Sequence, residues 1–313
     1  MRKICFTLLV TVIVVPPLQA QLRIGNYKEA IYGMDISPDG HTLAYAVSDS
    51  LFLWSLEAQK SASGFQLGST GKILSVDYSE KGDKIAFGIA DSTVLIFDLY
   101  QKKTIHKLNG AGGVITSVKF SPDDSFLAAA CSNHCIYLWE TNNIAAMTKL
   151  EGHNGDVTDI EFLDSTHLAA CDGEGKILIW NLPAYNIESS FKANNRWTRD
   201  IIKNKKQQLI SCGDDAMVRC WEFDRNYFPR LISSKRLGTN WLISLDLQGD
   251  EFTGAVSMNK RIYVNSVFGK YRFYAGSIIL KILFVPETVP FKVIYTTLDN
   301  GIFLLEAESM KLN

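Results

Sequence analysis

The sequence predicts an all-β protein built from seven copies of one antiparallel unit. Three observations lead to this prediction: aromatic residues recur about every 42 positions, apolar and polar residues alternate within each period, and turn-forming residues separate the alternating segments. After the first twenty residues, no stretch has the eighteen or so consecutive apolar residues of a transmembrane helix. Repetition at this spacing favours one closed architecture over two unrelated domains.

The aromatic residues mark the end of the third strand in successive repeats. Their spacings are 43, 42, 41 and 41 residues, and they are Trp54, Phe97, Trp139, Trp180 and Trp221. The same frame continues to the aliphatic residues Val264 and Leu305. Seven repeats of about 42 residues therefore account for residues 21–313.

Each repeat has the same internal order of strands and turns. Its first strand alternates apolar and polar residues, as in 115–120 and 157–162, which is typical of a half-buried strand. A turn such as residues 37–40 follows, where proline presets one backbone dihedral and aspartate or glycine tolerates the bend. A second strand rich in small residues and a third strand that ends at the aromatic residue complete the pattern.

These motifs resemble those of the WD-repeat β-propeller family, whose repeats carry a Gly-His pair near the start and Trp-Asp near the end. The fourth repeat is the most similar copy, with Gly152-His153, Glu174 in the turn and Trp180. In that family the histidine, a turn acid, a serine or threonine and the tryptophan form a hydrogen-bonded tetrad. The resemblance implies that Glu174 supplies the acid here. It also implies a seven-bladed β-propeller of four-stranded antiparallel blades.

The two ends of the mature chain are expected to meet in one blade. The seventh repeat supplies three strands, and only Met310 to Asn313 would remain for a fourth. Leu22 to Tyr27 precede the first repeat and have no other assignment. Because an open ring would leave a sheet edge exposed, we expect this N-terminal strand to complete the last blade.

The first twenty residues predict a secretory signal, so that residues 1–20 are a signal peptide and residues 21–313 form the propeller. Two cationic residues precede an apolar run from Ile4 to Val15, and the small Ala20 stands at the expected cleavage site. An uncleaved anchor is the alternative, because the residue three positions before the cut is bulkier than usual. We expect a periplasmic or extracellular protein whose mature chain has no membrane span.

Catalytic and metal-binding motifs are absent from the sequence. A polar residue recurs in the turn before each third strand, which indicates a role in the turn rather than a metal site. These residues are Asp49, Asp91, Asn133, Glu174, Asp215, Asn259 and Asp299. The five histidines show no metal-ligand spacing, and a formal net charge of −1 does not favour nucleic-acid binding. The sequence thus predicts no catalytic residue, no metal and no cofactor.

Five cysteines follow the predicted signal, an odd number that cannot be fully paired. A two-residue turn before Cys135 would place Cys131 and Cys135 on opposite faces of their sheet, and the same count separates Cys212 from Cys220. We therefore expect these cysteines to be small buried hydrophobic residues.

A ring of residues at the start of the first strands is the predicted partner-binding site. This rim takes the position just before the first buried residue of each repeat: Ala30, Lys72, Val114, Asp156, Arg196, Trp241 and Ile278. A shift of one residue in the fifth repeat would exchange Arg196 for Trp197. In the WD-repeat family the equivalent rim is the usual platform for peptides and protein partners.

The rim is expected to be apolar over repeats six, seven and one, where Trp241, Ile278 and Ala30 become neighbours once the ring closes. An exposed tryptophan beside aliphatic residues has the composition of a binding hot spot. Packing of Trp241 between blades is the alternative.

Two classes of function stay open. The first is a non-catalytic scaffold of the cell envelope that presents its rim to a protein or peptide partner, and the lack of a reactive motif favours it. The second is a propeller enzyme, such as a lactonase-like hydrolase, that acts on a small molecule in the central channel.

Overall fold

The computed structural model describes residues 21–69, 71–249, 252–266, 269–286, 288, 291–299 and 301–306. Residues 1–20, to which the signal-peptide prediction applies, lie outside the described residues. The strands of the described chain form seven antiparallel sheets of four strands each. Within those residues, no helix is long and apolar enough to cross a bilayer. The fold is therefore the predicted all-β, seven-bladed β-propeller.

Six blades follow one another along the chain, and each runs from an inner to an outer strand. Blade 1 consists of β2 (Met34–Ile36), β3 (Thr42–Val47), β4 (Ser50–Ser55) and β5 (Lys60–Gln66). Blade 2 consists of β6 (Ile73–Tyr78), β7 (Lys84–Ile89), β8 (Val94–Asp98) and β9 (Lys103–Leu108). Blade 3 consists of β10 (Ile115–Phe120), β11 (Phe126–Cys131), β12 (Cys135–Glu140) and β13 (Met147–Glu151).

The next three blades repeat this order. Blade 4 consists of β14 (Val157–Phe162), β15 (His167–Asp172), β16 (Lys176–Asn181) and β17 (Asn186–Lys192). Blade 5 consists of β18 (Thr198–Lys203), β19 (Leu209–Gly213), β20 (Met217–Phe223) and β21 (Pro229–Arg236). Blade 6 consists of β22 (Leu242–Gln248), β23 (Phe252–Ser257), β24 (Arg261–Ser266) and β25 (Gly269–Tyr274).

Blade 7 joins the two ends of the chain. It combines β26 (Ile279–Val285), β27 (Lys292–Thr297) and β28 (Gly301–Glu306) with β1 (Gln21–Asn26). The outer strand β1 pairs antiparallel with β28, with Leu22 opposite Leu304. Ile24 is buried in an apolar cluster with Ile302 and Leu304. The predicted closure of the ring by the N-terminal strand is confirmed.

The hydrophobic core lies between neighbouring blades. Ala128 and Ala130 of blade 3, for example, pack in one cluster with Val157 and Ile160 of blade 4. The small residues of the second strands allow adjacent sheets to approach, because larger side chains from the next blade fill the space above them.

The hydrogen bond predicted for the fourth repeat forms with a different acid. His153 Nδ1 lies 2.9 Å from Asp172 Oδ2, and both side chains are fully buried. Glu174 is exposed at the tip of a three-residue turn, which Gly175 closes with a φ of 80°. The assignment of Glu174 as the acid is therefore wrong, because the turn carries that side chain into solvent.

The expected separation of Cys131 and Cys135 is also wrong. Ala130 pairs with Ile136, so the turn has three residues and the two cysteines stand opposite each other. His134 adopts a left-handed φ of 68°, which accommodates the extra turn residue. Both cysteines pack in the same apolar cluster and hence on the same face.

Cys212 and Cys220 share one face as well, rather than opposite faces. Cys212 is aligned with Val218 and Cys220 with Ile210, so the two cysteines are offset by two positions along their strands. Both contact the apolar cluster between blades 5 and 6. Burial raises the pKa of the Cys212 thiol well above its usual value, as expected for a cysteine that acts as a hydrophobic residue.

Candidate functional site

The rim residues lie at the end of the central channel where the first strands begin. In blades 2, 3, 4, 6 and 7 the carbonyl of the predicted rim residue accepts a hydrogen bond from the residue that follows the second strand: Ala90 donates to Lys72 at 2.9 Å, and Met258 to Trp241 at 3.1 Å. In blade 1 the first strand begins only at Met34, and the Ala46 amide donates to the Gly33 carbonyl at 3.3 Å, so Ala30 lies outside this pattern. The equivalent bond in blade 5 runs from Asp214 to Trp197 at 3.1 Å. Trp197 rather than Arg196 therefore occupies the equivalent rim position.

The one-residue shift in blade 5 has a local cause. Thr198 is fully buried, and its hydroxyl donates to Asn194 Oδ1 at 3.1 Å. This threonine, and not the tryptophan before it, is the first buried residue of the strand. Arg196 is exposed next to the rim position.

The other rim residues differ in exposure. Ala30, Val114, Asp156 and Ile278 are half-buried, whereas Lys72 is exposed. Trp241 is 40 % exposed, so its indole is not enclosed between blades.

The structure brings Trp241 together with two residues of blade 5. The guanidinium carbon of Arg199 lies 4.5 Å from the ring centroid of Trp197 and 5.4 Å from that of Trp241. These distances are within the range of cation–π attraction. We refer to Trp197, Arg199 and Trp241 as the Trp–Arg cluster.

Asp214 holds the arginine of this cluster in place. Arg199 Nε donates to Asp214 Oδ1 at 2.7 Å, and Nη2 donates to Oδ2 at 3.1 Å. Such a bidentate pair restricts the guanidinium plane more than a single bond does. The cluster is thus a rigid surface with one fixed cation.

The Trp–Arg cluster borders an open depression of about 700 Å³. Arg196 and Lys192 add positive charge at its margin, and Glu174 adds one acid. Two indoles surrounded by charged side chains can contact both the apolar and the charged groups of an extended peptide.

The central channel, about 680 Å³ in volume, has a charged lining that the sequence patterns did not predict. Asp35, Asp77, Lys119 and Glu161 project from the first strands of blades 1 to 4 at intervals of 42 residues. The recurrence of a charged residue at the same position of these first strands is the sequence pattern that could have predicted this lining.

The channel acids bind the backbone of the next blade. Asp35 Oδ2 accepts a hydrogen bond from the Tyr78 amide at 2.8 Å, and Asp77 Oδ2 accepts one from the Phe120 amide at 2.8 Å. Asp200 Oδ2 accepts in the same way from the blade that follows it. These carboxylates accept hydrogen bonds from backbone amides that would otherwise be unpaired on the inner edges of the sheets, which is a structural role.

Burial changes the proton affinity of the channel groups. Burial, together with the nearby charge of Asp77, raises the pKa of Asp35 to about 7. Burial alone would lower the pKa of Lys119, but Asp77 at 2.9 Å and Glu161 at 3.9 Å hold it well above its usual value. The channel lining is therefore a coupled set of acids and lysines.

Metal ligands are not assembled among the described residues, where no group of three or more His, Cys, Asp or Glu side chains is placed to hold an ion.

The chain is similar to known β-propellers. A family model described as the Vps8 β-propeller matches residues 69–213. Among solved structures, the β-propeller domain of Cps50 (Swd1) from Myceliophteria thermophila has a TM-score of 0.81 and 16 % identity, covering 92 % of this chain and 99 % of that chain. U3-55K has a TM-score of 0.80 and 14 % identity, with 92 % and 98 % covered. No curated protein matches the sequence.

The architecture and the family match together define a seven-bladed β-propeller. The chain thus has the predicted seven-bladed β-propeller fold, and its repeats resemble those of the WD-repeat family.

Proposed function

We propose that this chain is a non-catalytic scaffold that binds a protein or peptide partner at the Trp–Arg cluster of its rim. One observation carries the proposal: Trp241 is 40 % exposed beside an arginine that is already fixed in position. Tryptophan and arginine are the residues most enriched in binding hot spots, and a large indole in water gains free energy when a partner covers it.

The geometry supports binding at low entropic cost. Because Asp214 holds Arg199, the cluster loses little side-chain freedom when a partner docks. A partner would place an apolar side chain against the Trp241 indole and an acid or carbonyl near Arg196. From there it would extend along the rim over Ile278 towards Ala30.

The residues of the central channel give less support to an enzymatic function. Asp77 and Asp200 already accept backbone hydrogen bonds from neighbouring blades. Acids in that role stabilise the ring, and a change in their position during a reaction would break those bonds. This use of the carboxylates favours the scaffold over a hydrolase in the channel.

We also propose that the scaffold works in the cell envelope or outside the cell. The cationic start, the apolar run from Ile4 to Val15 and the small Ala20 support export. A partner would then be another envelope or extracellular protein.

Site-specific photocrosslinking tests the proposed function. A benzophenone amino acid replaces Arg196, at the margin of the depression, or Tyr185, an exposed residue outside the rim. We expect one defined protein adduct from position 196 in envelope extract, none from position 185, and loss of the adduct when Trp241→Ala is added. An adduct that persists in a stable Trp241→Ala chain would place the interaction elsewhere.

A further inference from the structure

Cys131 and Cys135 face each other across the turn between the second and third strands of blade 3. Ala130 pairs with Ile136 on these strands, so the two cysteines form the next pair towards the turn. Both side chains pack in the apolar cluster between blades 2 and 3 and therefore lie on one face of the sheet. Opposed residues of antiparallel strands have Cα atoms about 4.5 to 5.5 Å apart, and a disulfide spans about 4.4 to 6.8 Å. The backbone thus places the two cysteines within disulfide range.

The two sulfur atoms also contact the same turn residue. Both cysteines are thiols in the structure, and Cys135 Sγ donates to the Asn133 carbonyl at 3.4 Å. Burial raises the pKa of the Cys131 thiol, and the Asn133 amide, which donates to its sulfur, opposes this rise. Because one residue contacts both sulfurs, they converge beneath the turn.

The other cysteines of the described chain have no cysteine opposite them on the paired strand. Their partners between the second and third strands are aliphatic: Ile177 opposite Cys171, Val218 opposite Cys212 and Ile210 opposite Cys220. One disulfide and three thiols would therefore account for the odd number of cysteines that follow the predicted signal.

The surroundings of the pair distinguish its two thiols. Cys135 is 7 % exposed, whereas Cys131 is fully enclosed. Burial raises the pKa of the Cys135 thiol, and the Lys149 ammonium beside its sulfur opposes this rise. Lys149 is also paired with Glu151, whose charge acts in the opposite direction but more weakly than that of the lysine. A thiolate is the nucleophile in disulfide exchange, so an incoming disulfide should react first with Cys135, which lies nearer to solvent and beside a cation.

We propose that Cys131 and Cys135 form a thiol–disulfide exchange site that a small external disulfide, of the glutathione type, oxidises to an intramolecular disulfide. The Cys135 thiolate attacks one sulfur of the external disulfide, which releases its first thiolate and leaves a mixed disulfide on Cys135. The Cys131 thiolate then attacks the Cys135 sulfur and releases the second thiolate. The chain loses two electrons and two protons, and the external disulfide gains them as two thiols.

The bond would fix the turn that carries His134 at the rim. His134 has a left-handed φ of 68°, and its Nε2 lies 3.4 Å from Oδ1 of the predicted rim residue Asp156. Oxidation would therefore restrict the rim where blades 3 and 4 meet. The site is separate from the Trp–Arg cluster and does not depend on it.

Peptide mapping after equilibration with glutathione tests the proposal on the full chain. The folded protein is held in a series of mixtures of reduced and oxidised glutathione, quenched in acid, unfolded, alkylated with N-ethylmaleimide and digested with trypsin. The tryptic peptide of residues 120–149 contains Cys131 and Cys135 and no other cysteine. We expect this peptide to change from two maleimide adducts to none as the fraction of oxidised glutathione rises. The peptides with Cys171 and Cys212 should keep their adducts.

A variant in which one cysteine moves by one residue separates native pairing from chance encounter along the chain. Ala130→Cys combined with Cys131→Ala places the thiol on the other face of the strand, opposite Ile136. The fold should tolerate it, because the equivalent positions of blades 4 and 5 hold Cys171 and Cys212. At one glutathione mixture we expect the ratio of disulfide to dithiol to be at least about tenfold higher in the folded parent than in the folded variant. The difference should disappear in urea.

Single variants test the order of attack. Cys131→Ala leaves Cys135 to hold a mixed disulfide with glutathione, which should form at least about tenfold faster than the one on Cys131 in Cys135→Ala. Melting temperatures verify that each variant is folded. Equal rates for the two single variants would overturn the assigned order. Equal ratios in the folded parent and the moved-cysteine variant, or two maleimide adducts on the parent peptide at every mixture, would overturn the exchange site itself.

Discussion

Arg199 and Asp214 form a bidentate ion pair in which the carboxylate is almost buried and the arginine is partly exposed. The two bonds measure 2.7 and 3.1 Å, and the side chain of Asp214 is 5 % exposed against 27 % for Arg199. Loss of the arginine would leave a desolvated carboxylate without its partner. This pair therefore links the stability of blade 5 to the geometry of the rim.

The first prediction concerns this ion pair. Arg199→Leu should destabilise the chain by about 2 kcal/mol, because the charge of Asp214 is left buried and uncompensated. Asp214→Leu in the same chain should recover part of the loss, with a coupling energy of at least about 1 kcal/mol. Urea unfolding of the parent, the two single variants and the double variant measures this coupling. Additive single effects would show that the pair contributes no net interaction.

The second prediction is a pH dependence of stability. Burial raises the pKa of Asp246 to about 7, above the value of an unfolded chain, although the Phe284 amide donates to its carboxylate. Its contribution to stability is therefore fully present below about pH 4 and is lost as the pH rises through about 7. Asp246→Asn keeps an acceptor for Phe284 but does not ionise.

Relative to the parent, Asp246→Asn should therefore gain at least about 1 kcal/mol in its free energy of unfolding between pH 4 and pH 8. Chemical unfolding at a series of pH values checks it. A difference that stays constant over this range would mean that Asp246 does not titrate with a raised pKa.

The third prediction concerns ring closure. Ile24 is 9 % exposed and Leu22 is 37 % exposed on the same closing strand. Ile24→Asp should cost at least about 2 kcal/mol, because it places a charge in the cluster between the chain ends. Leu22→Asp, the matched control, should cost less than about 0.5 kcal/mol. Equal melting temperatures for the two variants would argue against a closing role for β1.

The fourth prediction is cleavage after Ala20 during export. Mass spectrometry of the protein isolated from its native cell should find Gln21 at the mature N-terminus. Retention of Met1 in a cytosolic fraction would contradict export, whereas retention in a membrane fraction would indicate an uncleaved anchor.

The number of blades and the closure of the ring could be predicted from the sequence because they depend on local patterns. Turn chemistry and strand alternation act over a few residues, and an anchor such as Trp139 or Trp180 repeats at nearly constant spacing. The first strands of blades 2, 3, 4, 6 and 7 begin directly after the predicted rim residue, because their apolar residues begin there.

The charged lining of the channel could not be assigned in the same way. A charged residue in an alternating strand usually faces bulk solvent, and only the closed ring turns Asp77 and Lys119 towards a narrow channel. The rim position at Trp197 and the strand register at Cys131 were each predicted one residue out of place. Both depend on the backbone conformation of single residues, such as the left-handed φ of His134, and amino-acid composition does not reveal that conformation.

The affinity of the rim for its crosslinked partner tests the central claim most directly. Trp241→Ala should weaken binding by at least about thirtyfold, equivalent to about 2 kcal/mol, because the partner loses an anchoring indole. Its melting temperature should stay close to that of the parent, since the side chain is partly exposed. Lys72→Glu, across the rim, should change the affinity by less than about threefold and mainly at low salt. Unchanged affinity in a stable Trp241→Ala chain would contradict the assignment of the Trp–Arg cluster as the binding surface.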